Sequence, residues 1–399
     1  MIPRRLRTIE DLADLSGKRI LVRCDFNVPL EAGRITDDLR ITATLPTLRE
    51  LLGSGASLIL CSHLGRPKGH RDVRFSLRPV GRRLTELLGL EVVACDDVAG
   101  DEARECSARL PAGGVLLLEN LRFDPGEEKN DPEFGAALAS LADAYVDDAF
   151  GAAHRAHASV VSVAERLPSA AGRLLQQEVE VLTRLRDSAE RPFVAILGGA
   201  KVSDKLATVD ALTVRVDALL IGGAMAFSFL AAAGGEVGKS LVEPDRFDEV
   251  RNTVAKARAR EVLIQLPEDV VAAPEPTAGA PRRTVPSGQI PRDLMGLDIG
   301  PRSVEEFALI IADAKTLFWN GPMGMFELEP FSAGTRGVAT AVAAAAGFSV
   351  VGGGDSLAAL RKFDLADRID HLSTGGGASL EFLEGKELPG VAVLMEEAP

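Results

Sequence analysis

The sequence predicts an α/β protein: two doubly wound parallel-sheet (Rossmann-like) domains joined by an interdomain helix. Three observations carry this. Short runs rich in β-branched residues and leucine recur along the chain, separated by helix-like segments. The runs are apolar throughout rather than alternating, the pattern of parallel strands covered on both faces. The series stops near residue 172 and starts again near 187, with a helical stretch between. At 399 residues and 46% apolar content, the chain is long enough for two such domains and apolar enough for two cores.

In the first half the strand-like runs are 19–24, 57–61, 91–94, 115–118 and 144–147, with 160–163 as a further candidate. Between 174 and 185, Leu174, Leu175, Val179, Leu182 and Leu185 fall on one side at a helical period and mark the interdomain helix. The second half supplies strands at 193–197, 218–221, 262–266, 316–319 and 349–351, with a weaker sixth at 371–373. A helix is expected at 225–232. The stretch 272–292 is rich in Pro, Gly, Arg and Ser and reads as a loop excursion. The expected limits are 1–172 for the N-terminal domain, 173–186 for the hinge helix and 187–382 for the C-terminal domain. No residue-level repeat relates the halves.

The bulk numbers exclude some partners. A net charge of −13 argues against nucleic acid or an anionic membrane. A basic cleft can still sit in an acidic surface, so the argument rests on local charge. Cys24, Cys61, Cys95 and Cys106 show no C-x-x-C and no metal-ligand spacing, and read as buried thiols in a reducing compartment. Arg4, Arg5 and Arg7 are followed at once by acidic residues rather than an apolar core, so they do not open a signal peptide. The longest apolar stretch, 338–351, is too short and glycine-broken to span a bilayer. The expected location is the cytoplasm.

Ligands of open α/β sheets bind beyond the carboxyl ends of the strands, and the polar clusters of this chain fall there. In the first half these are Asp25, Phe26 and Asn27, then His63, Leu64, Gly65 and Arg66, then Arg122 and Arg155, with Arg40 in Asp37-Asp38-Leu39-Arg40. Asp25 or Asn27 alone reads as a turn cap, and Arg40 alone as a solvated helix charge. Several separate strand ends each supplying a cation are harder to obtain by accident. Arginine grips phosphate and carboxylate bidentately, so the grouping suits a small ligand carrying both.

In the second half four glycine-rich turns end apolar strands: Gly198-Gly199-Ala200-Lys201, Gly222-Gly223-Ala224, Gly352-Gly353-Gly354-Asp355 and Gly375-Gly376-Gly377-Ala378. Bare amides at a helix start suit nucleotide phosphates. Lys201 and Lys205 are expected on one face of a helix near its N-terminus, where a phosphate would offset their repulsion by the dipole. Asp355 suits Mg²⁺ bound through a nucleotide, or a helix cap. Two anion sites on two halves point to phosphoryl transfer between them.

Two decoys are set aside. Ala233 through Gly238-Lys239-Ser240 fits a relaxed P-loop pattern, but an apolar helix precedes it and Pro244 follows early. His154 and His157 flank Arg155 three apart, with no third metal ligand placed by the sequence. A dehydrogenase would need a nicotinamide fingerprint that the first unit lacks. A non-catalytic binding protein has little reason to keep Arg40, Lys201 and Lys205 together.

These segments resemble the phosphoglycerate kinase family essentially from end to end. The resemblance is carried by 23–29, 63–67, 119–123 with 126–130, and 154–157. In the second half it is carried by 198–205, 296–301, Trp319-Asn320-Gly321-Pro322, 352–356 and 373–379, in the family's order. Cys24, Ala158 and Ser356 stand where Val, Ser and Thr are more often expected. The resemblance implies that Asp25, Phe26, Asn27, Arg40, His63, Leu64, Gly65, Arg66, Arg122 and Arg155 hold 3-phosphoglycerate or 1,3-bisphosphoglycerate. It implies that Lys205, Gly296, Asn320, Glu327, Gly353, Gly354, Asp355 and Ser356 hold ATP or ADP, with Asp355 on Mg²⁺. Arg40, Lys201 and Lys205, with amides around Gly354 and Gly377, would stabilise the phosphoryl group in flight. A C-terminal tail at 383–399 returning to the N-terminal domain, hinge bending about the 174–185 helix and a monomeric state are also implied.

Overall fold

Arg19–Arg23 (β1) forms a strand whose last four residues are buried, so both of its faces must be covered. In the computed structural model, which describes residues 4–397, it sits near the middle of a six-stranded parallel sheet. The others are Ser57–Cys61 (β2), Val92–Ala94 (β3), Val115–Leu117 (β4), Ala144–Asp147 (β5) and Ser169–Ala171 (β6), in the spatial order β3-β4-β2-β1-β5-β6. All pairings are parallel, with Arg19 opposite Ser57 and Ile20 opposite Ala144. The helices Leu39–Gly53 (α1) and Asp101–Ala108 (α2) are among those that join these strands. Ile20, Val22, Ile41, Leu48, Leu58, Leu60, Val80 and Val146 meet in one core.

The chain divides into two units. The first takes in the residues up to Glu180 together with the segment from Glu387 onward; the second is Val181–Lys386. Arg173–Asp187 (α3) runs through the boundary. Within the first unit, Arg4–Leu6 pairs antiparallel with Met395–Glu397, so the two ends of the chain share a ribbon. Residues 1–3 and 398–399, the outermost parts of the expected domain limits, lie outside the described residues.

The second unit builds its own six-stranded parallel sheet from Phe193–Leu197 (β7), Ala218–Ile221 (β8), Leu263–Gln265 (β9), Thr316–Asn320 (β10), Phe348–Gly352 (β11) and His371–Ser373 (β12). Their order is β9-β8-β7-β10-β11-β12, which reverses between β7 and β10. That reversal opens a crevice beyond the carboxyl ends of the two strands. Leu206–Leu212 (α4) follows β7, Gly354–Lys362 (α5) follows β11 and Gly377–Leu383 (α6) follows β12.

Three expectations are corrected. The run 160–163 is not a strand: Ala158–Ser162 forms a single wide helical turn. It packs where Gly135 lacks a side chain, since a Cβ there would fall 2.5 Å from Ser162 Cβ. The sixth strand is instead Ser169–Ala171, too short and small-residued to signal itself. The stretch 272–292 is not a plain loop, because Asp269–Ala273, Arg283–Pro286 and Met295–Ile299 form a three-stranded antiparallel sheet. Lys201 and Lys205 do not share a helical face either: α4 starts at Leu206, with Lys205 at its N-cap.

Candidate active site

In the first unit the polar residues that end β1, β2 and β4 are bonded to one another. Asn27 Oδ1 accepts from Gly65 N–H at 2.9 Å, tying the loop after β1 to the loop after β2. Gly65 turns with φ +59°, and a Cβ there would strike the Phe75 ring at 2.3 Å. Arg122 Nη1 donates to Gly65 O at 2.7 Å, while its Nε lies 3.1 Å from Glu128. Arg40 does not follow a strand end, unlike the other cations; it opens α1. Its Nη1 pairs with Asp25 Oδ2 at 2.6 Å, so it is not merely a solvated helix charge.

The electrostatics favour an anion. Burial pushes Asp25 up, yet Arg40 first, with Arg23 and the Asn27 amide among the further contributions, together outweigh it and hold the carboxyl at about 2. Burial and then the cations of Arg23, Arg122 and Arg40 push His63 well below its usual range, so the imidazole is neutral. Arg23 Nη2 contacts His63 Nδ1 at 3.1 Å; a guanidinium only donates, which leaves the ring proton on Nε2. Burial, Arg155 and Arg23 also disfavour the charge on Arg122. A bound anion would relieve the burial and crowding that disfavour the Arg122 charge.

The remaining predicted residues take distinct positions. Arg66 is exposed and Arg155 half-buried, its Nε donating to His154 Nε2 at 3.0 Å. Phe26 and Leu64 are core side chains with engaged amides: Phe26 N–H donates to Ser62 Oγ and Leu64 N–H to Asn120 Oδ1. His157 faces buried Glu127 at 3.6 Å, so the histidine pair is spent on separate partners. Arg23 and Glu127 were not singled out from the sequence, though both lie in segments that carry the resemblance. Arg23 ends β1 and Glu127 opens a short helical turn, and both are fully buried.

In the second unit the crevice between β7 and β10 is lined by glycine for steric reasons. A Cβ on Gly198 would lie 2.1 Å from Pro322 O, and one on Gly223 (φ +63°) 2.5 Å from Gly199 N. Lys205 Nζ donates to Gly198 O at 2.6 Å and Asn320 O at 2.8 Å. Burial brings it down to about 8, against the pull of Asp355 and Asp204. Lys201 is exposed. Trp319, fully buried, fixes the turn by donating from Nε1 to Gly321 O at 2.8 Å.

A mainly apolar cavity of about 400 Å³ adjoins this crevice, a size suited to a nucleoside. Phe227, Leu241, Gly296, Met323, Glu327 and Asp355 contribute to its lining. Gly296 is required because a Cβ would fall 2.1 Å from Phe227 Cζ, and its N–H is held by Ser240 Oγ at 2.9 Å. Ser240 therefore serves the cavity wall; the next α-helix begins only at Phe247. Beside Gly354 and Gly377, at the starts of α5 and α6, the position of a Cβ is open space. Gly353 takes φ +94° next to Asn320. Ser356 is buried and its Oγ accepts from Gly321 N–H at 2.6 Å, while Asp355 and Glu327 are exposed.

Asp298 was quoted only within a motif, yet it is a buried carboxyl on the cavity wall. Burial pushes it up to about 8 although the Gly334 and Ile299 amides donate to it. Gly324 and Gly334 make room for it.

The phosphoglycerate kinase family model matches residues 9–386 of this chain. Phosphoglycerate kinase of Thermomicrobium roseum is 57% identical over 393 residues, covering 98% of this chain and 100% of the relative. That of Thermus thermophilus is 56% identical over 390 residues, covering 98% and 100%. Among solved structures, phosphoglycerate kinase from Coxiella burnetii superposes with a TM-score of 0.85 at 40% identity, covering 98% of this chain and 99% of the other.

Proposed function

The chain belongs to the phosphoglycerate kinase family, and from that premise we propose that it transfers a phosphoryl group reversibly between 1,3-bisphosphoglycerate and ADP, giving 3-phosphoglycerate and ATP. The observation that carries this reading is the cation cluster of the first unit, where three strand-end loops and the start of α1 are bonded together around groups that call for an anion. His63, Arg66, Arg122 and Arg155 hold the phosphorylated acid, with Asp25 and Asn27 fixing Arg40 and Gly65. Phe26 and Leu64 support them from the core.

The nucleotide base and ribose occupy the cavity over Gly296 and Phe227, with Glu327 at its margin. Asn320, Gly353, Gly354 and Ser356 shape the phosphate turn. The exposed carboxylate of Asp355 is a hard oxygen ligand on the cavity rim and fits Mg²⁺, which when bound neutralises phosphate charge. Nothing in the chemistry asks for a general base, since the accepting carboxylate is already ionised at neutral pH. Catalysis then consists of alignment and charge stabilisation on the transferring group by Arg40, Lys201 and Lys205 and by amides at Gly354 and Gly377. With the two ligands on separate units, transfer requires domain closure about α3.

The test is turnover in the ATP-consuming direction with 3-phosphoglycerate and Mg²⁺, coupled to reduction of the acyl phosphate. Wild type should require all three components. Arg40→Ala should lose roughly 10²–10³ in kcat, about 3–4 kcal/mol, as for loss of a preorganised donor. An unchanged rate removes Arg40 from the transition state.

A further inference from the structure

Away from the cation cluster, at the edge strand of the first sheet, two cysteines and a glutamate converge. Cys95 directly follows β3, and its N–H donates to Leu117 O at 2.9 Å. The loop from there to α2 is locked by Asp97, whose carboxylate accepts from Val98 N–H at 2.7 Å and Ala103 N–H at 3.2 Å. The Asp97 N–H in turn donates to Cys95 Sγ at 3.4 Å. Glu102 and Cys106 are four residues apart on α2 and so share one face of it. One ligand atom from each of Cys95, Glu102 and Cys106 lies within 4.8 Å of the other two. Cys95 is buried, Cys106 half-buried and Glu102 exposed, so the trio has one side open to water.

We propose that Cys95, Cys106 and Glu102 bind a soft divalent transition-metal ion of the Zn²⁺ type, with water as the fourth ligand. Tetrahedral zinc with sulfur at about 2.3 Å and oxygen at about 2.0–2.2 Å separates its ligand atoms by roughly 3.5–3.8 Å. The trio therefore needs to close by no more than about 1 Å, within reach of side-chain rotation. Two sulfur ligands select against Mg²⁺ and Ca²⁺, which take oxygen. The N–H···S bond from Asp97 spreads the charge a metal-bound thiolate carries and fixes the orientation of Cys95. Binding displaces the thiol protons of both cysteines into solvent. None of the three residues belongs to the proposed phosphoryl-transfer site, so the metal is structural there and turnover does not depend on it.

The experiment titrates the reduced full-length protein with Co²⁺ alone. Wild type should develop sulfur-to-cobalt absorption in the near ultraviolet and ligand-field bands in the visible, saturating at one equivalent and bleached by Zn²⁺. Cys106→Ser and Cys95→Ser should each abolish the bands, and Glu102→Gln should move saturation to higher Co²⁺. Retained turnover shows that the variants fold, and the half-buried Cys106 position carries the test if the Cys95 variant does not. Absence of thiolate bands overturns the proposal. So does a signal that persists in Cys106→Ser, or formation of a Cys95–Cys106 disulfide without metal uptake.

Discussion

At the scale of single residues, Lys205 is the most informative group. Its ammonium is held by two carbonyls in a crevice that desolvates it, so its affinity for protons falls to about 8 from an ordinary 10.5. Without ligand the unfolded chain binds more protons than the folded one between those values, and this residue's cost to stability is relieved as pH rises through that window. A phosphate beside it favours the charged form again. MgADP binding near pH 8.5 should therefore take up protons, read by calorimetry in two buffers of different ionisation enthalpy, and Lys205→Met should lose that uptake. Equal enthalpies in both buffers for wild type would contradict it. The sequence made Lys205 visible through its glycine neighbours but misplaced it on a helix, because Gly198–Lys205 spacing does not reveal where the first helical hydrogen bond forms. Asp298 and Glu127 were harder to see, since a buried carboxylate carries no pattern in the chain.

Among the elements, parallel strands were the most legible, because full burial leaves them continuously apolar. What failed had weak or misleading local signals: Ser169–Ala171 has no β-branched residue, and the wide turn at Ala158–Ser162 carries Val160 and Val161. The start of α3 has a feature that no periodicity contains. Asp148 is buried there and accepts from Leu174 N–H at 2.9 Å. Burial pushes its carboxyl up to about 7 from 3.8. The folded state then binds more protons than the unfolded one between about pH 4 and 7, so stability declines as pH rises across that range. Asp148→Asn keeps an oxygen for the helix amides and removes the charge. It should stabilise the protein by about 1–3 kcal/mol at pH 8 and by little at pH 5, read from thermal melts at both values. Destabilisation at both would show that the carboxylate itself is required.

For the whole molecule, the pairing of Arg4–Leu6 with Met395–Glu397 closes the first unit with residues from both ends of the chain. Leu388, Val391 and Leu394 are buried in the same segment. Deleting 387–399 should cost the first unit several kcal/mol, at about 1.5–3 per buried side chain. It should leave MgADP binding by the second unit intact, followed by fluorescence of Trp319, the chain's only tryptophan. Equal loss of both functions would make the units energetically inseparable. Two-unit organisation was readable because the strand series restarts; the shared ribbon was not, since three-residue strands at distant ends leave no local trace. The central claim is direct phosphoryl transfer, and single-turnover chemical quench with γ-labelled ATP, Mg²⁺ and 3-phosphoglycerate tests it most directly. Label should pass straight to the acyl phosphate, with none trapped on protein and none released as phosphate before product forms. Label held covalently by the protein, or appearing only as inorganic phosphate, would contradict it.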